Sequence, residues 1–226
     1  MATEDASNEA TESQHETLLS VLCTKENWTT DDSTEYTSLA FRENGIGCLT
    51  LLNDQPGELL ICEFDWEIDS ESPQNAKAET IVDTHQKDLE DSLRLRQVAK
   101  FYINIKLRHC EPRKQFGFSG RFSIKDSLSR RLKKTAFEQE EYIWVYLEVG
   151  NFPPAHDTNP VNGDEFGQTR WGLRLSFPRG SPIPSLDKWN EAYHLMVQSQ
   201  YWEGQTNWFS RKLHGRSIDG WKFNTG

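Results

Sequence analysis

The chain has 226 residues, 35% of them hydrophobic, 12% aromatic and 27% charged, with a formal net charge of −10. That length suits a single domain with its own core, and no run approaches the 18 or so apolar residues that cross a bilayer. The acidic balance argues against general binding to nucleic-acid phosphates.

The charge is unevenly spread. Residues 1–92 hold 22 acids against 4 bases, and residues 93–226 hold 13 against 21. Two oppositely charged parts of one fold would attract across a shared surface; an anionic small molecule could also find positive charge in the second half. Residues 1–14 are small, polar and acidic, and read as a disordered tail. The start lacks the positive charge and apolar stretch of a signal peptide, so a cytoplasmic protein is expected. Cys23, Cys48, Cys62 and Cys110 have neither CxxC nor His-linked spacing, and the six His are isolated. No metal and no cofactor is therefore expected.

In chain order, Thr17–Leu22 suits a short helix packed on the body. Thr37–Glu43, Asn44-Gly45 and Ile46–Leu52 form the clearest local signal. Asn-Gly is the preferred pair of a two-residue type I′ turn, which sets Glu43 opposite Ile46, Phe41 opposite Cys48 and Leu39 opposite Thr50. That register places Leu39, Phe41, Ile46, Cys48 and Leu52 on one surface. Glu58 to Ile68 follows as a strand with Phe64, Trp66 and Ile68 on its dry face. Residues 69–92, polar and charged, read as a long exposed connection.

Phe101, Ile103, Ile105 and Leu107 alternate with polar residues, as do Phe116, Phe118, Phe122 and Ile124, and the two runs are expected to pair as a hairpin. A helix over Asp126–Leu132 would carry Leu128 and Leu132 on one stripe. Tyr142–Val149 is apolar or aromatic on both faces, and Trp171, Leu173, Leu175 and Phe177 alternate again. A last helix, capped by Ser185 or Asp187, would put Trp189, Tyr193, Met196 and Val197 on one side. The Trp-rich tail from Tyr201 to Trp221 shows no period.

Six or more strands, each with one apolar face and no βαβ spacing, leave a closed barrel or a two-layer sandwich. Consecutive hairpins favour the barrel, so the fold class is mainly β: an antiparallel up-and-down barrel with short flanking helices, residues 15–226 forming one domain with a C-terminal helix and tail. Trp28, the Phe41-Arg42-Glu43-Asn44-Gly45-Ile46-Gly47 hairpin, the meander and the late helix together resemble the lipocalin-like (calycin) barrels. The resemblance is one of architecture: the Gly-x-Trp signature is absent, Trp28 following Glu26-Asn27, and no functional residue carries over.

An eight-stranded barrel has room for one small ligand. Tyr142, Trp144 and Tyr146 share a face and could wall such a pocket, with Phe41, Trp66 and Trp171 as further ligand contacts; rings of this kind also simply fill cores. His109, at the end of an apolar strand face, and Glu148, beyond the three aromatic residues, are candidate catalytic acid–base groups. A His or Glu at such a strand end is more often a hydrogen-bonded or solvated rim residue. Three functions stay open. The first is binding of a small hydrophobic or amphipathic molecule. The second is a cofactor-free cyclase or isomerase acting on a hydrophobic natural-product intermediate of secondary metabolism, which would work by confinement. The third is a protein-interaction β domain. A homodimer is allowed for; nucleic acid and a membrane span are not expected.

Overall fold

The computed structural model describes residues 16–30, 37–52, 59–71, 73–84, 95–113, 124–152, 170–199 and 205–213. Eight antiparallel strands close into a barrel of lipocalin-like up-and-down topology. They are β2 (Trp28–Thr29), β3 (Thr37–Arg42), β4 (Ile46–Leu52), β5 (Leu59–Ile68), β7 (Arg96–Leu107), β8 (Glu141–Phe152), β9 (Arg170–Arg179) and β10 (Asn207–Leu213). Each pairs with its sequence neighbour in the barrel, and β10 returns to pair with β2 through Phe209 and Thr29. Outside the barrel, β1 (Glu16–Thr17) pairs with β6 (Ile81–Val82).

Period-2 alternation carries the core. Leu39, Phe41, Leu49, Leu51, Cys62, Phe64, Trp66, Phe101, Ile103, Ile105, Ile143, Val145, Leu147, Leu173, Leu175, Phe177 and Trp208 join one buried cluster. The short helix α1 (Leu18–Leu22) follows an N-cap: Thr17 Oγ1 accepts the Ser20 N–H at 3.1 Å. Leu18, Val21 and Leu22 enter the core, and Trp28 Nε1 donates to the Leu22 carbonyl at 3.0 Å, satisfying an end of the helix that lacks an internal partner.

The hairpin differs from the sequence expectation by one residue. Arg42 faces Ile46, Phe41 faces Gly47 and Leu39 faces Leu49, so the loop has three residues, Glu43-Asn44-Gly45. Gly45 alone of these adopts positive φ, at 75°, and its N–H donates to the Arg42 carbonyl at 3.1 Å. This is the turn closed by a left-handed glycine, not the two-residue type I′ turn. The Asn44 side chain accepts the Ile46 N–H at 3.2 Å, and the Gly45 carbonyl accepts the Trp66 N–H at 2.9 Å. The one-residue shift sends Leu49 and Leu51 inward with Leu39 and Phe41, and turns Ile46 and Cys48 to the other face.

Other expectations are corrected in the same way. In the barrel β7 pairs with β5 and β8; of the segment expected to pair with it, residues 116–123 lie outside the described set, and Ile124 begins α2 (Ile124–Arg131). On α2 and just beyond it, Leu128 and Leu132 are buried as their stripe implied. The 69–92 connection is more than an exposed loop where it is described: β6 pairs with β1, and Asn75, Val82 and Thr84 are buried. The late helix is broken into 3-10 turns at Leu186–Lys188 and Glu191–Tyr193 and α3 (His194–Ser199). Trp189 sits between the two turns in extended backbone, fully buried, its indole N–H donating to the Pro184 carbonyl at 3.0 Å. The largest correction is β10: part of the aperiodic tail is the strand that closes the barrel.

Acids from the first half meet bases from the second across this fold, as Glu63 with Arg108 and Arg113, and Glu16 with Arg211.

Candidate functional site

The connections at one barrel end form a cap. It comprises α2, a 3-10 turn at Lys134–Phe137 and the 180–199 segment. Leu132 and Trp189 pair as an isolated bridge, the Lys133 N–H donates to the Lys188 carbonyl at 2.8 Å, and the Asn190 N–H donates to the Arg131 carbonyl at 2.8 Å. These bonds tie α2 to the 180–199 segment as one layer.

Between this layer and the barrel lies a pocket of about 310 Å³. Its barrel side is Ile105 and Leu107 of β7 with Ile143 of β8; its cap side includes Ala136, Ile183, Pro184 and Lys188. Gln139 and Glu141 stand at the start of β8, and Gly180, Ser181 and Thr206 complete the rim. The barrel's own centre is occupied by rings: Trp28, Phe41, Phe64, Phe101, Phe177 and Trp208 are all fully buried. The described pocket itself lies at the mouth.

The pocket walls are mainly aliphatic, with one buried cation. Lys188 is 9% exposed, and its Nζ donates to the Gln139 carboxamide oxygen. Of the other polar lining groups, Ser181 Oγ donates to the Gln205 carbonyl at 3.0 Å and accepts the Ile183 N–H at 3.1 Å. Ser185 Oγ donates to Asp187 at 2.5 Å. This chemistry can hold an apolar body and orient one polar group.

None of the residues singled out from the sequence lines this pocket. Phe41 and Trp66 lie in the core, their rings edge-to-face at 4.9 Å, and Trp66 Nε1 has no acceptor among the described residues. Tyr142, Trp144 and Tyr146 are on the outer wall of β8, with Ile143, Val145 and Leu147 of the same strand turned inward. There Tyr102 stacks on Tyr142 at 4.7 Å and meets the Trp144 ring at 4.2 Å, while Lys100 Nζ sits 4.3 Å over Trp144. The Tyr142 hydroxyl donates to Asp69, which holds that carboxyl below the usual carboxylate range and pushes the phenol up to about 12. Trp171 belongs to a separate small cluster with Phe152 and Phe209.

His109 is exposed at the end of β7, its Nε2 2.6 Å from Ser129 Oγ of α2 and its ring 4.8 Å from Phe137. Glu148 is buried on the outer wall, accepting from Arg174 Nε at 2.7 Å, and the Arg174 guanidinium covers the Phe152 ring at 4.6 Å. These contacts join His109 to α2 and Glu148 to β9.

Sequence reasoning missed Gln139, Glu141, Ile183 and Lys188. They come from two connections, the one that leads into β8 and the one between β9 and β10, which share no spacing, and a single Lys in an amphipathic segment carries no signal of its own. Pro182-Ile183-Pro184 was the one local hint of a rigid wall.

Among the described residues no group of His, Cys, Asp or Glu could hold a metal, and no helix is long and apolar enough to cross a membrane. No family model matches the chain, and neither a curated protein nor a solved structure does; the likeness to lipocalins is one of barrel architecture.

Proposed function

We propose that the protein binds a small hydrophobic or amphipathic molecule at the mouth of its barrel. The observation that carries this is the pocket of about 310 Å³ between barrel and cap, walled by Ile105, Leu107, Ile143 and Ile183. Its size lies at the lower end of the roughly 300–1,000 Å³ of ligand pockets, and its mix of aliphatic wall and few polar groups is typical of them. The test is saturable binding of apolar probes to the whole chain, followed by native mass spectrometry. An Ala136→Trp change, which would fill the pocket from the cap side, should abolish binding; unaltered affinity would refute the mouth as the site.

A catalytic version of the same pocket is the second proposal, favoured by Lys188 and Glu141 both lining it. They could supply a proton donor and an acceptor to a cyclisation or isomerisation. A bound molecule recovered with unchanged structure after prolonged incubation would count against catalysis and leave binding intact.

A further inference from the structure

We infer that the ligand of the mouth pocket is an anionic amphiphile, a carboxylate or similar acid on an apolar body, with its headgroup on Lys188; this rests on the binding function proposed above. An ammonium withdrawn from water is costly unless an opposite charge meets it. The two buried carboxylates obey that rule: Glu63 has Arg108 and Arg113, and Glu148 has Arg174. Lys188 is 9% exposed, yet among the described residues its Nζ makes no ion pair and hydrogen-bonds only the neutral Gln139 carbonyl, with the exposed Asp187 carboxylate acting on it from a distance. An ammonium has three protons to donate, so two remain for a guest.

The surroundings set the polarity. Glu141, exposed on the rim, and Asp187, exposed and bonded to Ser185, are the nearby acids. Water screens Asp187 and weakens the repulsion from Glu141 without cancelling it, whereas an acid entering the pocket would meet Lys188 against aliphatic walls, where charge attraction is stronger. At roughly 30 Å³ for each water- or methylene-sized group, the pocket takes about ten such groups. Decanoate is therefore a fitting probe, and decanol its neutral counterpart.

The experiment is titration calorimetry of the whole chain with decanoate and decanol. Decanoate should bind about tenfold tighter or better. Lys188→Met should remove that preference, Lys188→Arg should keep it, and Glu141→Gln should strengthen decanoate binding severalfold. If Lys188→Met does not fold, the wild-type preference together with the Arg and Gln variants decides. Equal binding of acid and alcohol by the wild type, or a preference that survives Lys188→Met, would overturn the anionic class and leave hydrophobic binding standing. No saturable binding of either probe would sink both.

Discussion

Replacing Gly47 with alanine tests the hairpin register, on which the inward set of β3 and β4 depends. A methyl group on Gly47 would lie 2.1 Å from Cζ and 2.2 Å from Cε2 of Phe64, and 2.7 Å from the Ala40 carbonyl oxygen. Carbon atoms at rest approach to about 3.5–4.0 Å, so the ring must retreat by about 1.4 Å or more. Phe64 is 1% exposed and packs edge-on against Phe41 at 5.7 Å, which leaves it little room. The Ala40 carbonyl is backbone between two paired strands and gives even less. Overpacking of this kind costs about 2–3 kcal/mol, which for a chain of this size lowers Tm by about 4–12 °C. Urea unfolding measures the cost directly. A second change, Phe64→Leu, should relieve part of it, the double variant being more stable than the summed single effects by about 1 kcal/mol. The type I′ register makes the opposite prediction: Gly47 would face Arg42 on the other surface, and alanine in an open strand position is neutral or stabilising. A cost below about 0.5 kcal/mol, the level of an ordinary surface change, would refute the observed register.

Three further outcomes follow from buried and paired charges. Replacing Arg108 and Arg113 together by Met leaves Glu63, 1% exposed, without either guanidinium; a loss of about 2–3 kcal/mol is expected in urea unfolding, below the 3–5 of a fully buried pair because both arginines touch water. Tyr142→Phe removes the hydroxyl that lowers Asp69 and is itself raised to about 12. The Asp69 contribution is complete above the usual carboxylate pKa and lost as pH falls through the depressed value. The Tyr142 contribution is complete below about 10 and lost as pH rises through about 12. The stability gap between wild type and variant should therefore be flat near neutral pH and shrink at both extremes; a gap that widens with acid would contradict the bond. Burial pushes the Cys23 and Cys48 thiols up to about 12, and raises Cys62 and Cys110 as well. Iodoacetamide labelling of the folded protein at neutral pH should be slow and begin at half-buried Cys110, as read by peptide mass mapping; first labelling at Cys48 or Cys62 would show the barrel wall opening there.

Much of the wall was legible in the chain because alternation and turn chemistry are local. Phe64 and Trp66 on β5, Phe101, Ile103 and Ile105 on β7, and Leu173, Leu175 and Phe177 on β9 are buried as their period-2 pattern implied. Leu128 and Leu132 met the core for the same reason at helical spacing. The candidate site was not legible, since its walls come from connections tens of residues apart and its one buried cation looks, in sequence, like any surface lysine.

What sequence alone determined is the existence of β3, β4, β5, β7, β8, β9 and the two short helices α1 and α2, with the wet and dry faces of those strands that alternate cleanly. Tertiary structure decided the rest. A one-residue choice between turns fixed the inward face of β3 and β4, because of the loop residues 43–45 only Gly45 takes positive φ. On β8, apolar on both sides, packing chose the aliphatic residues for the interior and left the larger rings outside, where Tyr142 and Trp144 find Asp69 and Lys100. Closure fell to β10, whose Trp208 fills the core while Arg211 breaks the strand's regularity at a φ of 59°. No local period announces such a strand; it exists because two open edges, β9 and β2, need its hydrogen bonds.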